Sequence, residues 1–540
     1  MKNNDLLFKI SHNRKLLFIV PNLIYGYRLF YYYNSNMDVE HILEVSFRYI
    51  LGLFLIFFLI NSLVFLFVNK ALKDKQKVFS VMCFVSFFYF FKFNLISFLL
   101  FIVFVLILII NFKKFIKFKL DTFVGLFSFV TIILFSFSFI MASFNCCYNL
   151  IRSKSFDNSI DINVSEDKES PNIYYIHCDG MMGISTIEKY FNYNDVYLTN
   201  YFRNNDYFLN EDASFVNGRK TQRALVALFN PYYYDNFYGD YLSELEDVYM
   251  DRRSNTSFNV SYYELEDKRL NNELFRAFES KGYTTIGIGE FNQYTSFDTD
   301  YYYDFYVHSP EFVHLVPGKE WLRSISSSNS DLRKLSYIRF MHSRSILDNT
   351  MFYNLLGDFN YLEYKTIDYN NYDYSDYRYI NNTTYWPAKA ILKSLDMSIK
   401  VDDKKLIFID YNLNHLYLTY DIFGNRLSED DRVNLNYYDD NYIYSSYLLV
   451  DMLEFIKNND PDGVIVIEGD HGIHVFEDEE IMEFLDVDRD SVEEIRNSVI
   501  SSIYVPSKYR NGDEKHLDNP LNISRYLVNN FVGDNYEYLK

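Results

Sequence analysis

Residues 50–68, ILGLFLIFFLINSLVFLFV, carry no charged side chain and are long enough to cross the hydrocarbon of a bilayer. Such a run has few options. With no water to bond them, its backbone N–H and C=O groups must satisfy one another, and a single segment does so only as a helix. Residues 94–112 (NLISFLLFIVFVLILIINF) and 122–144 (TFVGLFSFVTIILFSFSFIMASF) repeat the pattern. The shorter run 78–91 (VFSVMCFVSFFYFF), between Lys77 and Lys92, reads as a further span. Residues 16–33, interrupted by Pro21 and Arg28, are either a fifth crossing or an interfacial segment.

Lysines fix the orientation. Lys70, Lys73, Lys75 and Lys77 follow the first clear run, and Lys113, Lys114, Lys117 and Lys119 precede the last. Cytoplasmic loops carry such excess positive charge, so both loops are expected inside and everything after residue 147 outside. Several spans follow the apolar start, so it is not expected to be a cleavable signal peptide. The net charge of −20 divides accordingly, into about +9 over residues 1–147 and about −29 over the rest. An acidic globular part lacks the basic footprint of a nucleic-acid-binding protein. Four cysteines, Cys83, Cys146, Cys147 and Cys178, lie in or beside apolar runs and form neither a disulfide framework nor a metal knuckle.

Residues 148–170 are polar and aperiodic and read as a linker. From Pro171 to the C-terminus the pattern alternates. Helical stretches are expected at 184–205, 221–229, 271–281 and 441–457; strands at 173–178, 283–289, 404–410 and 464–468. The rhythm predicts a four- or five-helix membrane part over 1–147, then an α/β domain over 171–540 with a mostly parallel sheet and helices on both faces. Residues 351–386, rich in Tyr, Asn and Asp, read as a surface insertion. The Asn-X-Ser/Thr sequons in so Asn-rich a chain are expected by chance.

The chemistry is expected at strand ends. Strand 464–468 delivers Asp470-His471-Gly472, and strand 173–178 delivers Asp179-Gly180. Open α/β sheets place their sites at the C-terminal ends of strands, and two carboxylates with an imidazole suit a metal ion. Thr221 opens a helix behind Gly218-Arg219-Lys220. A helix N-terminus favours an alkoxide-like oxygen and a bound phosphate, although threonine there is also an ordinary helix cap. Arg219, Lys220 and Arg223 are placed to neutralise an anionic ester. His415, beyond the strand ending at Asp410, can reach the same sheet edge as a phosphate ligand or general acid. His474 lies three residues past His471.

Taken in order, Asp179-Gly180, Thr221, His415 and Asp470-His471-Gly472 resemble the alkaline phosphatase superfamily. More narrowly they look like membrane-anchored sulfatase-like proteins, the group with lipoteichoic acid synthases and phosphoethanolamine transferases. Lys281-Gly282-Tyr283-Thr284-Thr285 and Asn519–Tyr526 fit the same pattern, and the resemblance covers about residues 171–540. It implies one divalent metal ion (Mn²⁺, Zn²⁺ or Mg²⁺) held by Asp179, Thr221, Asp470 and His471. It implies a covalent intermediate on Thr221 and substrate contacts from His415. It also implies a phospholipid headgroup donor, a cell-surface glycan or polymer acceptor, and a multi-pass protein of the cell membrane whose catalytic domain is extracytoplasmic. There are departures. No Cys/Ser-x-Pro-x-Arg signature surrounds Thr221, which argues against a formylglycine sulfatase. Asp410 and His415 are five apart rather than four, which argues against a second metal. An extracellular phosphodiesterase or phosphatase, and a non-catalytic surface-binding protein, are the alternative readings.

Overall fold

The computed structural model describes residues 13–35, 47–71, 78–79, 81–82, 120–153, 162–191, 196–250, 265, 268–269, 271–289, 297, 299–304, 312–317, 365–369, 372–380, 386–415, 417–474 and 476–540. The chain divides into two compact units. One comprises Met1–Asp157 with Leu322–Tyr361, the other Asn158–Trp321 with Leu362–Lys540.

In the first unit, helix α1 (Arg14–Ser35) packs on α2 (Phe47–Ala71) and α3 (Leu120–Ser153). Residues 16–33 therefore form a helix, with Pro21 inside its first turns. Gly26 sets the close approach: a Cβ there would stand 2.6 Å from the rings of both Phe54 and Phe135. The Asn34 side-chain amide donates to the Ser138 carbonyl at 2.9 Å, satisfying a polar group between helices. Among the described residues two helices are long and apolar enough to cross a membrane, over Ile50–Lys70 and Leu126–Phe144. The expected span at 94–112, and most of that at 78–91, lie outside the described residues.

The second unit is built on a nine-stranded sheet. Its strands are β1 (Ile173–Cys178), β2 (Tyr207–Asn210), β3 (Thr284–Gly289), β4 (Tyr301–Asp304), β5 (Phe312–Pro317), β6 (Lys365–Asp368), β7 (Lys405–Asp410), β8 (Val464–Gly469) and β9 (Ser501–Tyr504). They lie in the order β2-β9-β8-β1-β7-β3-β4-β5-β6. The centre, β8-β1-β7-β3-β4, is parallel, whereas β2, β9, β5 and β6 pair antiparallel at the flanks. The sheet is thus mixed rather than mostly parallel. The central strands β1, β7 and β8 are apolar runs buried throughout, as strands covered on both faces must be. The four-residue flanking strands β2 and β6 carry no such run. β6 also corrects the reading of 351–386: residues 365–368 extend the sheet, and Tyr369 and Ile380 are buried against it.

The helices of this unit are α4 (Ile184–Phe191), α5 (Val196–Asn204), α6 (Thr221–Phe229), α7 (Gly239–Met250), α8 (Glu273–Ser280), α9 (Trp386–Ile399), α10 (Tyr438–Asn459), α11 (Asp478–Leu485), α12 (Arg489–Asn497) and α13 (Asn522–Phe531). They cover both faces of the sheet. Tyr174, Ile176, Ile407 and Ile465 pack with α9 and α10 on one side. Ile173, Tyr175, Phe408 and Val466 pack with α6, α8 and α13 on the other. Residues 162–170, expected as linker, lie against this unit: Ser165 N–H donates to the Val532 carbonyl at 2.9 Å, and Lys281 Nζ donates to the Lys168 carbonyl at 2.6 Å.

Candidate metal centre

Register brings the strand-end residues together. β1 and β8 are parallel neighbours in which Cys178 stands opposite Gly469, so Asp179 and Asp470 leave the sheet side by side. Gly180, at φ +72°, turns the chain where a Cβ would come within 3.2 Å of the Asn414 carbonyl and His415 Cα. This close approach draws the loop after β7 to the site. The Gly180 and His471 N–H groups donate to Asp470 Oδ1 at 3.1 and 3.0 Å.

His471 Nδ1 lies 2.7 Å from the Gly472 carbonyl. A carbonyl only accepts, so Nδ1 carries the proton and Nε2 presents its lone pair. Around that lone pair lie Asp470 Oδ2 at 3.3 Å, Thr221 Oγ1 at 3.3 Å and Asp179 Oδ1 at 3.4 Å. Asp179 Oδ1 and Asp470 Oδ2 are buried and have no hydrogen-bond donor. Two buried carboxylate oxygens facing an imidazole lone pair repel one another unless a cation joins them. The ligand atoms of Asp179, Asp470 and His471 lie within 4.8 Å of one another. Oxygen and imidazole donors suit Mn²⁺, Zn²⁺ or Mg²⁺, and the Thr221 hydroxyl is a further oxygen beside them.

Electrostatics carry the same strain. Burial and the charge of Asp470 push the Asp179 carboxyl up. Burial also pushes Asp470 up, but the neighbouring His471 and His177 imidazoles and the N–H of Gly180 outweigh it and hold this carboxyl below the usual range. Burial, with the neighbouring His471 and His415 imidazoles, pushes the His474 imidazole down.

Thr221 is the first residue of α6, and Lys220 at the cap position makes no side-chain capping bond. The preceding turn is left-handed at both Gly218 (φ +65°) and Arg219 (φ +58°). His415 is 30% exposed, with Nε2 at 3.8 Å from Asp179 Oδ1. Its ring stands 5.2 Å from that of His474, itself 3.9 Å from His471. A small cavity lined by His415, His474, Tyr438 and Phe476 opens here.

The structure thus gathers Asp179, Thr221, Asp470 and His471 at one point, with His415 beside them. The basic residues are differently placed. Arg219 turns to Asp478, at 3.4 Å, and to Glu493. Arg223 Nη1 donates to the Gly218 carbonyl at 3.0 Å. Burial and the charge of Arg223 push the half-buried Lys220 ammonium down.

Sequence reasoning missed His177 and its partner. In β1, directly opposite Asp410 of β7, its Nδ1 lies 3.1 Å from Asp410 Oδ1 and its Nε2 3.6 Å from Asp470 Oδ1. The available signal was position, a histidine two residues before Asp179 in the same buried strand.

No family model matches the chain, and no curated protein matches it. Among solved structures, the C-terminal periplasmic domain of EcEptC from Escherichia coli is similar at TM-score 0.35 and 11% identity, over 69% of this chain and 86% of that one. The lipoteichoic acid synthase LtaP from Listeria monocytogenes follows at 0.34 and 10%, over 69% and 76%. The soluble domain of lipooligosaccharide phosphoethanolamine transferase A from Neisseria meningitidis gives 0.35 and 8%, over 69% and 96%.

Proposed function

We propose that the chain is a membrane-anchored enzyme that transfers a phospho-headgroup from a lipid to a hydroxyl of a cell-surface glycan or polymer, by way of a phosphothreonine at Thr221. The observation that carries this reading is the convergence of Thr221 Oγ1 and two donor-less carboxylate oxygens on the Nε2 lone pair of His471. Asp179, Thr221, Asp470 and His471 would hold one divalent cation. When bound, it would lower the pKa of the threonine hydroxyl and offset the charge of the ester.

The chain's own residues do the rest. Thr221 Oγ1 forms a bond to phosphorus as the bond from phosphorus to the lipid alcohol breaks. The threonine proton leaves, and the departing alkoxide gains one. His415, partly exposed beside Asp179, is the group placed to carry protons at that edge. In the second half the acceptor hydroxyl attacks phosphorus, gives up its proton, and Thr221 is regenerated. With water as acceptor the same site would be a hydrolase.

The test is intact-mass analysis of the full chain in detergent, loaded with Mn²⁺ or Zn²⁺ and given native lipids. A headgroup-phosphate adduct on Thr221, lost in Thr221→Ala and Asp470→Ala, is expected. Metal-loaded protein that neither gains the adduct nor consumes lipid would sink the idea. Product analysis separates the acceptors: a transferred headgroup for the transferase, a free one for the hydrolase.

A further inference from the structure

The geometry points to Arg496 as a positioning residue that ties the nucleophile turn and the metal-ligand loop to one another. Arg496 lies in the last turn of α12 and is 2% exposed. Both its main chain and its side chain are engaged. Its carbonyl accepts from Gly472 N–H at 3.0 Å, next to His471, and from the Asn217 side-chain amide at 2.9 Å, four residues before Thr221. Its guanidinium donates to the carbonyls of Ile473 (3.3 Å), His474 (2.9 Å) and Phe476 (2.7 Å), and to Asp478 Oδ1 (2.6 Å). One residue therefore holds the loop that leaves His471 at Gly472, Ile473, His474, Phe476 and Asp478.

The nucleophile side closes the circuit. Asn217 is fully buried, and its Oδ1 accepts from Arg219 N–H at 2.8 Å, holding the left-handed turn at Gly218 and Arg219. A left-handed backbone is costly for arginine and persists only where the surroundings impose it. Here they do: the Arg219 guanidinium bridges Asp478 and Glu493, and Asp478 is the carboxylate that Arg496 also holds. The planar fork of arginine reaches carbonyls and a carboxylate in different directions at once, which the single ammonium of lysine does not. Thr221 and His471 come from strands and helices far apart in sequence, and Arg496 sets the turn of one against the loop of the other.

The mechanical part does not depend on the proposed function; the kinetic part rests on it. The test is hydrogen exchange on the metal-free full chain in detergent, with Arg496→Lys and Asn217→Ala. Arg496→Lys should speed exchange at least tenfold in both 217–221 and 472–478. Asn217→Ala, which removes the turn's bond to the Arg496 carbonyl and leaves the guanidinium contacts in place, should speed it in the 472–474 loop as well. If Arg496→Lys loosens 472–478 alone, or if Asn217→Ala leaves that loop unchanged, the coupling is wrong. On the enzyme, Arg496→Lys should slow adduct formation on Thr221 by about 100-fold at saturating lipid while KM stays near wild type. A lysine that restores the wild-type rate would reduce Arg496 to a charge or packing role. A wild-type chain that forms no adduct would overturn the function but leave the exchange result to judge the clamp.

Discussion

At the scale of single residues, the weight of the site falls on groups behind the candidate ligands. His177 is sealed between Asp410 and Asp470. Burial opposes a charged ring there, but the charge of Asp470, the bond to Asp410 and the charge of Asp179 outweigh it, and the imidazole pKa stands well above its ordinary value. His177 thus backs Asp470 from within the sheet, at 3.6 Å. Partners behind metal ligands are worth roughly 10- to 100-fold in metal affinity. His177→Asn should weaken Mn²⁺ or Zn²⁺ binding by that factor while leaving the far-UV circular dichroism unchanged, and a competition titration with a chelating dye measures it; unchanged affinity would leave His177 a packing residue. Gly472 is constrained differently. A Cβ there would fall 2.0 Å from the Ile495 carbonyl, so Gly472→Ala must push the loop off α12. The expected loss is about 2 kcal/mol or more of stability, read from urea midpoints, with metal binding lost alongside. The sequence announced the candidate ligands, because a strand, a carboxylate and a glycine are adjacent in the chain. It could not announce His177 or Arg496, whose partners come from 233 and 18 to 23 residues away through strand register and helix docking.

Elements were legible where one local pattern decided them. α6 spans the residues that its composition outlined, and α8 begins one residue after Asn272, whose side chain accepts from Phe275 N–H. The antiparallel flanks were not legible, because a four-residue strand such as β2 or β6 exists by virtue of its neighbour rather than its own sequence. The α8 terminus also carries a pH response. Glu273, buried, accepts from the N–H groups of Tyr232 and Tyr233 at 2.8 and 3.0 Å. Burial nevertheless wins over those bonds, and its carboxyl is pushed up to about 7. An unfolded glutamate titrates near ~4.3. Between the two values the folded chain holds a proton that the unfolded chain has lost, so stability falls as pH rises through this window. The contribution is present below about 4.3, and about 4 kcal/mol of it is gone above about 7. Urea titrations at about pH 5 and about pH 7.5 should show the wild type losing more stability than Glu273→Gln; parallel losses would mean that Glu273 ionises normally.

For the whole molecule the decisive question is which side of the membrane the acidic unit occupies. Residues 1–147 are basic and the rest strongly acidic, and by the positive-inside rule the lysine-rich stretches at 70–77 and 113–119 would put the C-terminal end of α3 outside. α3 carries its own reporter. Its apolar stretch ends at Phe144, and Cys147, free and exposed, follows within one turn, while Cys178 is buried in β1. With Cys83 and Cys146 changed to serine, a membrane-impermeant maleimide should label Cys147 in intact cells to the same extent as in permeabilised ones. Labelling only after permeabilisation would place the site in the cytoplasm, away from any surface glycan, and would rule out the proposed acceptor whatever the chemistry at Thr221. The same topology argues for the anchor as a kinetic device. Tethering would hold the site near the proposed lipid donor, an effective concentration that a free domain lacks. A chain lacking residues 1–157 should therefore bind metal like the full protein, yet turn over donor lipid in bilayers at least tenfold more slowly, while a soluble phosphodiester is cleaved at equal rates by both. Equal rates on the bilayer donor would mean that the acidic unit reaches its lipid unaided and that the membrane helices serve only to retain it.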